Sequence, residues 1–465
     1  MGNGEMKLNR YPKYKPTGIA WLPEVPEGWE VVSLGRLIDE PLSYGASETG
    51  EVENAPGFVR YIRITDITLD GKLKHDGCKY LAREKAEGVM LEKGDVLFAR
   101  SGATVGKSYL FNEDIEACYA GYLIRASVRR EKLLPEFLLY FSQSTNYEEW
   151  KNRIFIQATI QNISAAKYTR LTLPLPPLPT QRAIVAFLDE KCGKIDRWVA
   201  AKEREVALLK ELKQAMIAEA VTRGVRAISR VEVEKWRKSG LPGSGAEPQI
   251  YTSTPLHGSN PRPLVPSGIP WLPEVPEGWE VKKVRQHFRL RSEKVSEQDY
   301  PPLSVAKVGV VPQLADVAIS MAQGETRKLV RAGDYVVNSR SDRKGSCGIA
   351  PQDGSVTTIS IVLEPRQIDR QFVHYLFRST PWVEEFYRNG RGIVADLWTT
   401  RYQEMRNMAF PLPPLAEQRE IVAYIEARAA KIDAAVAGLE REVAAMKEYK
   451  QRLIADVVTG QRKVA

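Results

Sequence analysis

Residues Gly18–Val31 read GIAWLPEVPEGWEV, and Gly268–Val281 repeat them as GIPWLPEVPEGWEV. The copies lie 250 residues apart and differ only at Ala20 and Pro270. A second pair, PLPPLPTQR and PLPPLAEQR, lies at Pro174–Arg182 and Pro411–Arg419, 237 residues apart, and each copy leads into a helical pattern, AIVAFLDEKCGKID or EIVAYIEARAAKID. The chain is therefore an internal duplication with the order lobe, helix, lobe, helix.

Both helical segments carry apolar residues at alternating steps of four and three, with exceptions at Lys202, Lys213 and Lys450. This heptad spacing is typical of a coiled coil, because it keeps one stripe facing a partner helix. From about Thr180 to Thr222, the first helix would span about 64 Å at roughly 1.5 Å per residue. The predicted seam residues are Leu188, Cys192, Ile195, Val199, Val206, Leu209, Met216, Ile425, Ala429, Ile432, Val436, Leu439, Val443, Met446, Leu453 and Val457.

Each helix could pair with another protein, with a second copy of the chain, or with its counterpart. Two matched seams in one polypeptide favour mutual pairing. The second lobe lies between the helices in sequence, which favours antiparallel packing with pseudo-twofold symmetry. We also expect the segments around Ile195 and Ile432 to contact each other. The predicted fold class is α+β, with two mixed α/β lobes separated by an antiparallel coiled coil of two long helices.

The predicted organisation is an N-terminal segment (1–27), a first lobe (28–172), a first helix (173–225), a Pro/Gly-rich linker with the repeat start (226–277), a second lobe (278–409) and a second helix (410–465). The two lobes share one short stretch of similar sequence, GDVLFARSGATVG at Gly94–Gly106 and GDYVVNSRSDRKG at Gly333–Gly345. Each reads as a Gly-Asp turn, a β-rich run and a polar loop. The predicted strands are Phe58–Ile67, Gly121–Val128 and Val356–Leu363, and the predicted short helices are Pro135–Tyr147 and Ile368–Phe386.

The composition, 43% hydrophobic and 27% charged, is that of a globular protein without a membrane-spanning run or an export signal. The four cysteines are far apart in sequence, so we expect free thiols and a cytoplasmic location. The net charge of +9 is unevenly distributed. Residues 28–172 hold 19 basic and 20 acidic side chains, whereas residues 278–409 hold 20 basic and 15 acidic ones. Charge therefore supports nucleic-acid binding by the second lobe only.

Two polar clusters in each lobe carry side chains suited to DNA, although a solvated loop surface is the alternative interpretation. Arginine reads guanine, Asn and Gln read adenine, and Lys, Ser and Thr often hold phosphates. In the first lobe the candidates are Arg100, Ser101, Thr104 and Lys107, then Gln157, Thr159, Gln161, Asn162, Ser164 and Lys167. In the second lobe they are Asn338, Ser339, Arg340, Arg343 and Lys344, then Arg391, Trp398, Thr399, Thr400 and Arg401.

Catalytic interpretations find little support. Gly102–Ser108 resembles a phosphate loop but is one residue short, and a strand-like run follows it instead of a helix. The four histidines have no metal-ligand spacing. Asp95 and Asp334 occupy equivalent Gly-Asp turns, which explain them without nuclease chemistry. We predict no catalytic residue, no metal site and no cofactor in this chain.

The two dissimilar lobes, the near-identical helical spacers and the doubled PLPPL…Q(R)xIV…KID pattern resemble the specificity subunit of type I restriction-modification systems. The resemblance covers nearly the whole chain. It implies that residues 28–172 and 278–409 are target-recognition domains that each read half of a split, asymmetric DNA site. The coiled coil would then fix the spacing between the halves, because lobes on one rod can enter successive major grooves.

The same resemblance implies several partners. Two methyltransferase subunits would dock on the repeated framework, bind S-adenosylmethionine and methylate adenine N6, and an ATP-driven restriction and translocase subunit using Mg²⁺ would join them. The chain itself would be a non-catalytic DNA-recognition subunit. The principal alternative is a coiled-coil scaffold with protein-binding lobes. The missing motifs disfavour a self-contained nuclease or methyltransferase.

Overall fold

The two copies of the tryptophan-containing repeat fold alike in the computed structural model, which describes residues 10–51, 54–68, 71–102, 105–156, 162–225, 262–313, 327–392 and 398–464. Strand β1 (Tyr14–Ile19) forms an antiparallel hairpin with β2 (Leu22–Pro26), and β12 (Leu264–Ile269) does the same with β13 (Leu272–Pro276). Each hairpin bends at a glycine with positive φ, 72° at Gly18 and 71° at Gly268. This conformation disfavours other residues, so both copies need glycine there.

The strand after each hairpin pairs with the proline-rich segment that enters the next long helix. In the first half, β3 (Glu30–Ser33) pairs antiparallel with β11 (Thr172–Leu175), and in the second half β14 (Glu280–Lys283) pairs with β24 (Ala409–Leu412). The two repeated motifs are therefore neighbours in space, and each pair closes the base of one lobe.

The described residues of the first lobe form two small sheets and four short α-helices. A four-stranded sheet has the order β4-β10-β7-β8, and a three-stranded sheet has the order β6-β5-β9. The strands are β4 (Ser43–Tyr44), β5 (Phe58–Ile62), β6 (Lys79–Ala82), β7 (Val96–Ala99), β8 (Ser108–Leu110), β9 (Ala117–Tyr119) and β10 (Leu123–Ala126). The helices are α1 (Arg83–Ala86), α2 (Pro135–Phe141), α3 (Thr145–Ile156) and α4 (Ala165–Thr169).

The second lobe repeats the four-stranded sheet, here in the order β15-β23-β20-β21, beside sheets β16-β19-β22 and β17-β18. The strands are β15 (Phe288–Arg291), β16 (Lys294–Val295), β17 (Leu303–Ala306), β18 (Gly309–Pro312), β19 (Arg327–Val330), β20 (Tyr335–Val337), β21 (Cys347–Ile349), β22 (Gly354–Thr357) and β23 (Ile361–Pro365). The helices are α6 (Val284–His287), α7 (Arg370–Arg378), α8 (Thr380–Arg388) and α9 (Tyr402–Met405). The two long helices are α5 (Leu178–Arg223) and α10 (Leu415–Val458).

Several local predictions were wrong in extent. The strand predicted at Phe58–Ile67 ends at Ile62, and the run Val356–Leu363 contains parts of two strands, β22 and β23. Each predicted short helix is in fact a pair, α2 with α3 and α7 with α8. Prolines explain one of these breaks, because Pro381 stands in the first turn of α8 and favours a helix start there.

The chain forms two compact units, and the boundary between them falls inside both long helices. The first unit comprises Met1–Glu203 with Arg441–Ala465, and the second comprises Arg204–Glu440. Each unit therefore contains one lobe, the beginning of one long helix and the end of the other.

The predicted antiparallel pairing of the long helices is confirmed. In the first unit, residues from the beginning of α5 share a hydrophobic core with residues from the end of α10, including Ile195 with Leu453. In the second unit, the end of α5 packs with the beginning of α10, including Met216 with Ile432. All the seam residues predicted from the sequence lie in one of these two cores or are partly buried against it, apart from Ala429, which is buried outside the two cores.

The expected contact between the segments around Ile195 and Ile432 was wrong. These residues occupy equivalent positions in the repeat and belong to different cores. The reason is geometrical: antiparallel helices bring the beginning of one segment to the end of the other, so equivalent residues of the two repeats do not become partners.

Two of the lysines that interrupt the heptads make ion pairs between the long helices. Lys450 Nζ lies 2.6 Å from Asp196 in the first unit, and Lys213 Nζ lies 2.6 Å from Asp433 in the second. The two aspartates are 237 residues apart, and so are the two lysines, so the two pairs join equivalent positions of the repeat with the roles of the two helices exchanged. Lys447–Glu203 at 2.8 Å and Lys210–Glu440 at 2.9 Å are related in the same way. Each aspartate is the last residue of a KID sequence, so these pairs explain why KID occurs twice.

Reversing one of these charges should destabilise the chain. We expect Lys450→Asp to lower the free energy of unfolding by about 1 kcal/mol, because it places two carboxylates together. The exchange Asp196→Lys with Lys450→Asp should restore most of the loss in a double-mutant cycle of urea unfolding. Lys194→Asp on α5 is the matched control, since Lys194 pairs with Glu190 within that helix and the change leaves the pairs between α5 and α10 intact. Equal losses in Lys450→Asp and the exchange variant would contradict the pairing.

The glutamine of each PLPPLxxQR motif is a buried clamp. Gln181 is fully buried, and its amide nitrogen donates to the carbonyl oxygens of Lys132 and Pro176, both at 2.8 Å. Its oxygen accepts from the N–H of Leu134, also at 2.8 Å, which fixes the start of α2 on the start of α5. Gln418 makes the equivalent bonds to Pro413 and Asp369 in the second unit.

The hydrogen bonds of Gln181 lead to a second prediction about stability. Gln181→Leu keeps a similar volume but leaves buried backbone groups of Lys132, Leu134 and Pro176 unpaired, so we expect a loss of about 3 kcal/mol. Gln371→Leu, on the exposed face of α7, is the control and should change little. Thermal and urea unfolding of both variants would measure this, and equal stabilities would exclude the clamp.

Candidate nucleic-acid interface

The four-stranded sheet of the first lobe gathers several candidate residues at one of its ends. Arg100 follows β7, Lys107 precedes β8, Tyr44 closes β4 and Tyr122 precedes β10. Because the neighbouring strands are antiparallel, these strand ends meet on the same side. Tyr44 and Tyr122 did not enter the sequence prediction, since the order of the strands could not be read from the sequence.

The two polar clusters predicted in this lobe come together. The N–H of Ile163 donates to the carbonyl oxygen of Arg100 at 2.9 Å, and Ser101 forms a β-bridge with Asn162. Lys167 Nζ then lies 3.3 Å from the carbonyl oxygen of Asn162. Thr104, Gln157, Thr159 and Gln161 lie outside the described residues.

The second lobe joins its two clusters in the same way. Arg340 forms a β-bridge with Thr399, and the N–H of Ser341 donates to the carbonyl oxygen of Trp398 at 2.9 Å. Thr399 also bridges Arg391. Ser101 and Arg340 are 239 residues apart, and Asn162 and Thr399 are 237 apart, so the two bridges join equivalent positions of the repeat. The two lobes therefore have the same loop arrangement at equivalent ends of their sheets.

Some predicted residues hold these loops together instead of facing outward. Ser339 and Thr400 are buried, and their hydroxyls donate to the carbonyl oxygens of Ile359 and Phe386. Both therefore lie beneath the exposed surface, and their assignment as DNA contacts stays a prediction. Lys107 is half-buried, and its ammonium donates to the carbonyl oxygen of Ile67. Ser164 stands directly before α4.

The exposed rim of the second lobe is rich in cations that are held by carboxylates. Arg340 Nε lies 3.0 Å from Asp342, and Lys344 Nζ lies 3.4 Å from Glu384. The Arg391 side chain is 84% exposed and lies 3.8 Å from Glu404. Exposed pairs of this kind are worth little, so a phosphate can replace the carboxylate at small cost. The remaining cations of the rim are Arg343, Arg388 and Arg401.

A cleft lies beside this rim, and the sequence analysis did not predict it. Its lining residues include Lys344, Glu384, Tyr387, Arg388 and Trp398. Burial raises the pKa of Tyr387, and its protonated hydroxyl donates to the carbonyl oxygens of Asn338 and Arg343 at 3.1 and 3.2 Å. The loop therefore has a defined shape on α8, which suits a surface that must present Arg340 and Arg343 to a partner.

The Gly-Asp turns have the structural role expected of them. Asp95 accepts from the N–H of Glu92, and Asp334 accepts from the N–H of Arg331, both at 2.8 Å. Burial raises the pKa of Asp95 despite this bond. Within the described residues, no group of His, Cys, Asp or Glu is placed to hold a metal ion. Every helix in the described ranges is too short or too polar to cross a membrane.

Comparisons with known proteins agree with this architecture. Residues 26–196 match the family model of the type I restriction modification DNA specificity domain. The type I restriction enzyme StySPI specificity subunit of Salmonella potsdam is 22% identical, covering 94% of this chain and 90% of its own. The MjaVIII specificity subunit of Methanocaldococcus jannaschii is 21% identical, covering 95% and 94%.

A solved structure also supports the fold. A chain from a study of complex assembly and conformational transition of the type I R-M system has a TM-score of 0.63 at 18% identity, covering 94% of this chain and 99% of its own. Over nearly its whole length the chain is therefore similar to type I restriction-modification specificity subunits, as the resemblance of the repeats predicted. Residues 26–196 are similar to the type I DNA specificity domain.

The exposed arginines of the second lobe generate a test. Arg340→Ala with Arg343→Ala should weaken DNA binding and either reduce the salt slope by about 1 per lost phosphate contact or relax the preference at one base pair. Arg366→Ala is the control, because Arg366 follows β23 at the opposite end of the same sheet and is 53% exposed against 47% for Arg340. Titration at several salt concentrations measures the effect, and unchanged affinity and site preference would remove both arginines from the interface.

Proposed function

We propose that this chain is the DNA-reading subunit of a type I restriction-modification complex and recognises a bipartite, asymmetric site. Each lobe reads one half of the site through the sheet end described above. The observation that supports this most is an arrangement that both lobes share. In each lobe the loop after one central strand, β7 or β20, forms a β-bridge with the segment before the proline-rich strand, β11 or β24. The frame is the same in both lobes, whereas the exposed side chains differ, as reading two different sequences requires.

The long helices set the spacing between the two halves of the site. Each helix is continuous, and each contributes residues to both units. Insertions or deletions in the helices would therefore change the number of unspecified base pairs between the half-sites.

The chemistry belongs to partner subunits in this proposal. Two methyltransferase subunits bind S-adenosylmethionine and methylate adenine N6, and an ATP- and Mg²⁺-dependent restriction and translocase subunit completes the complex. A flipped adenine reaches the methyltransferase, so this chain supplies affinity and register without a reaction of its own. It needs no cofactor and acts in the cytoplasm, where the host genome is methylated. Turnover by the purified chain alone would contradict this division of labour.

Exchange of one lobe tests the proposal. Residues 34–171 lie between β3 and β11, so replacing them with the same part of a relative keeps the paired strands at the base of the lobe intact. Sequencing the methylated sites of a host that expresses the chimera with its methyltransferase should show one altered half-site and one unaltered. The reciprocal exchange of residues 284–408, between β14 and β24, is the matched control and should alter the other half. Two unaltered half-sites in both chimeras would favour the scaffold alternative.

A further inference from the structure

An arginine and a tyrosine stack at the sheet end of the first lobe. The guanidinium carbon of Arg100 lies 4.6 Å from the ring centroid of Tyr44, within the distance of a cation–π interaction. The Tyr44 hydroxyl accepts from the N–H of Ala165 at 3.0 Å, so the ring is anchored at its far end. The stack fixes the long Arg100 side chain, which would otherwise sample many rotamers. Tyr44 is itself 41% exposed, so the stack lies at the surface.

Two buried polar atoms in the segments that carry the stack have no hydrogen-bond partner among the described residues. They are Nε of Arg100, which belongs to the stack, and Oδ1 of Asn162, whose segment pairs with that of Arg100 through the Ser101–Asn162 bridge. Unpaired buried donors and acceptors cost stability, so both atoms require a partner, which an ordered water or a ligand group can supply.

A second exposed ring flanks the stack. Tyr122 is 65% exposed, and its carbonyl oxygen accepts from the N–H of Arg100 at 3.0 Å. The strand register makes Ile359 its equivalent in the second lobe, and Ile359 is also exposed, at 44%. A large apolar side chain kept in water at the same position of both lobes favours an interface there.

The first lobe cannot depend on net charge, since its basic and acidic residues nearly cancel. The position that corresponds to Tyr44 in the second lobe is Ser292, directly after β15, so the stack is confined to the first lobe. The two lobes thus offer different chemistry: a cationic rim in the second and an aromatic–guanidinium group in the first.

Resting on the proposed function, we infer that Tyr44, Arg100 and Tyr122 form the specificity-determining platform of the first lobe, with Arg100 reading a guanine edge. The guanidinium held on Tyr44 presents its terminal nitrogens to O6 and N7 of guanine, a bidentate contact that lysine cannot make. Tyr122 contacts the neighbouring nucleotide with its ring face. Binding by this lobe therefore depends weakly on salt, because stacking and base contacts release few counterions.

The test uses the full chain in complex with its methyltransferase subunits and DNA duplexes that carry single base-pair changes in the half-site of the first lobe. Tyr44→Leu removes the ring, and Tyr44→Phe removes only the hydroxyl. Arg100→Lys keeps the positive charge but removes the planar guanidinium that makes a bidentate contact. Tyr449→Leu is the matched control, because Tyr449 on α10 is 44% exposed and lies outside the lobe. Thermal unfolding checks that each variant is folded.

We expect Tyr44→Leu and Arg100→Lys to weaken binding about tenfold and to abolish discrimination at one G·C pair, with the salt slope unchanged. Tyr44→Phe and Tyr449→Leu should retain both affinity and preference. Wild-type preference in Arg100→Lys would overturn the inference even if Tyr44→Leu failed to fold, and so would equal losses in Tyr44→Phe and Tyr44→Leu. A wild-type complex without sequence preference would overturn the proposed function itself, which is a distinct result.

Discussion

The antiparallel pairing of the two long helices is the constraint on which the rest of the structure depends. The beginning of each helix packs with the end of the other, so each compact unit is assembled from distant parts of the sequence. A lobe cannot be removed without breaking the core that supports it. The ends of the chain are held by the same arrangement, since Tyr14 donates its hydroxyl proton to the carbonyl oxygen of Gly460 at 2.8 Å. The duplication visible in the sequence is thus also a duplication of packing, with the helices exchanged.

Polar residues in the seam specify how the helices pair. Apolar heptads alone would allow several offsets and both directions, because one Val or Leu substitutes readily for another in a core. Lys213 and Lys450 can meet Asp433 and Asp196 only in the antiparallel arrangement. Each lysine is still about a fifth to a quarter exposed, which limits the desolvation of its charge and keeps the cost of burying the pair moderate. The stability of the seam comes from its apolar residues, whereas its direction comes from these ion pairs.

The sequence allowed prediction of the long helices, the duplicated frame and the position of the main loops, because repeats and heptads are strong periodic signals. It did not reveal the strand order, and the residues that depend on strand order were therefore missed. Tyr44 and Tyr122 are 78 residues apart and become neighbours only through the pairing of β4 with β10. The burial of Ser339 and Thr400 could not be predicted for a related reason: both are small polar residues in loops, and only the fold shows that their hydroxyls donate to backbone carbonyls.

A common frame with different surfaces is what the proposed reading of two unlike half-sites needs, and the packing of each unit depends on the helix pairing. The most direct measurement of that pairing is the distance between nitroxide labels at Arg197 and Tyr449, two exposed positions beside the Asp196–Lys450 pair. Antiparallel helices packed about 10 Å apart predict a distribution centred below about 20 Å. In a parallel arrangement Asp196 would face Asp433, and the roughly 17 residues from there to Lys450 would add about 26 Å along the helix. A distribution centred at or beyond about 25 Å would contradict the account.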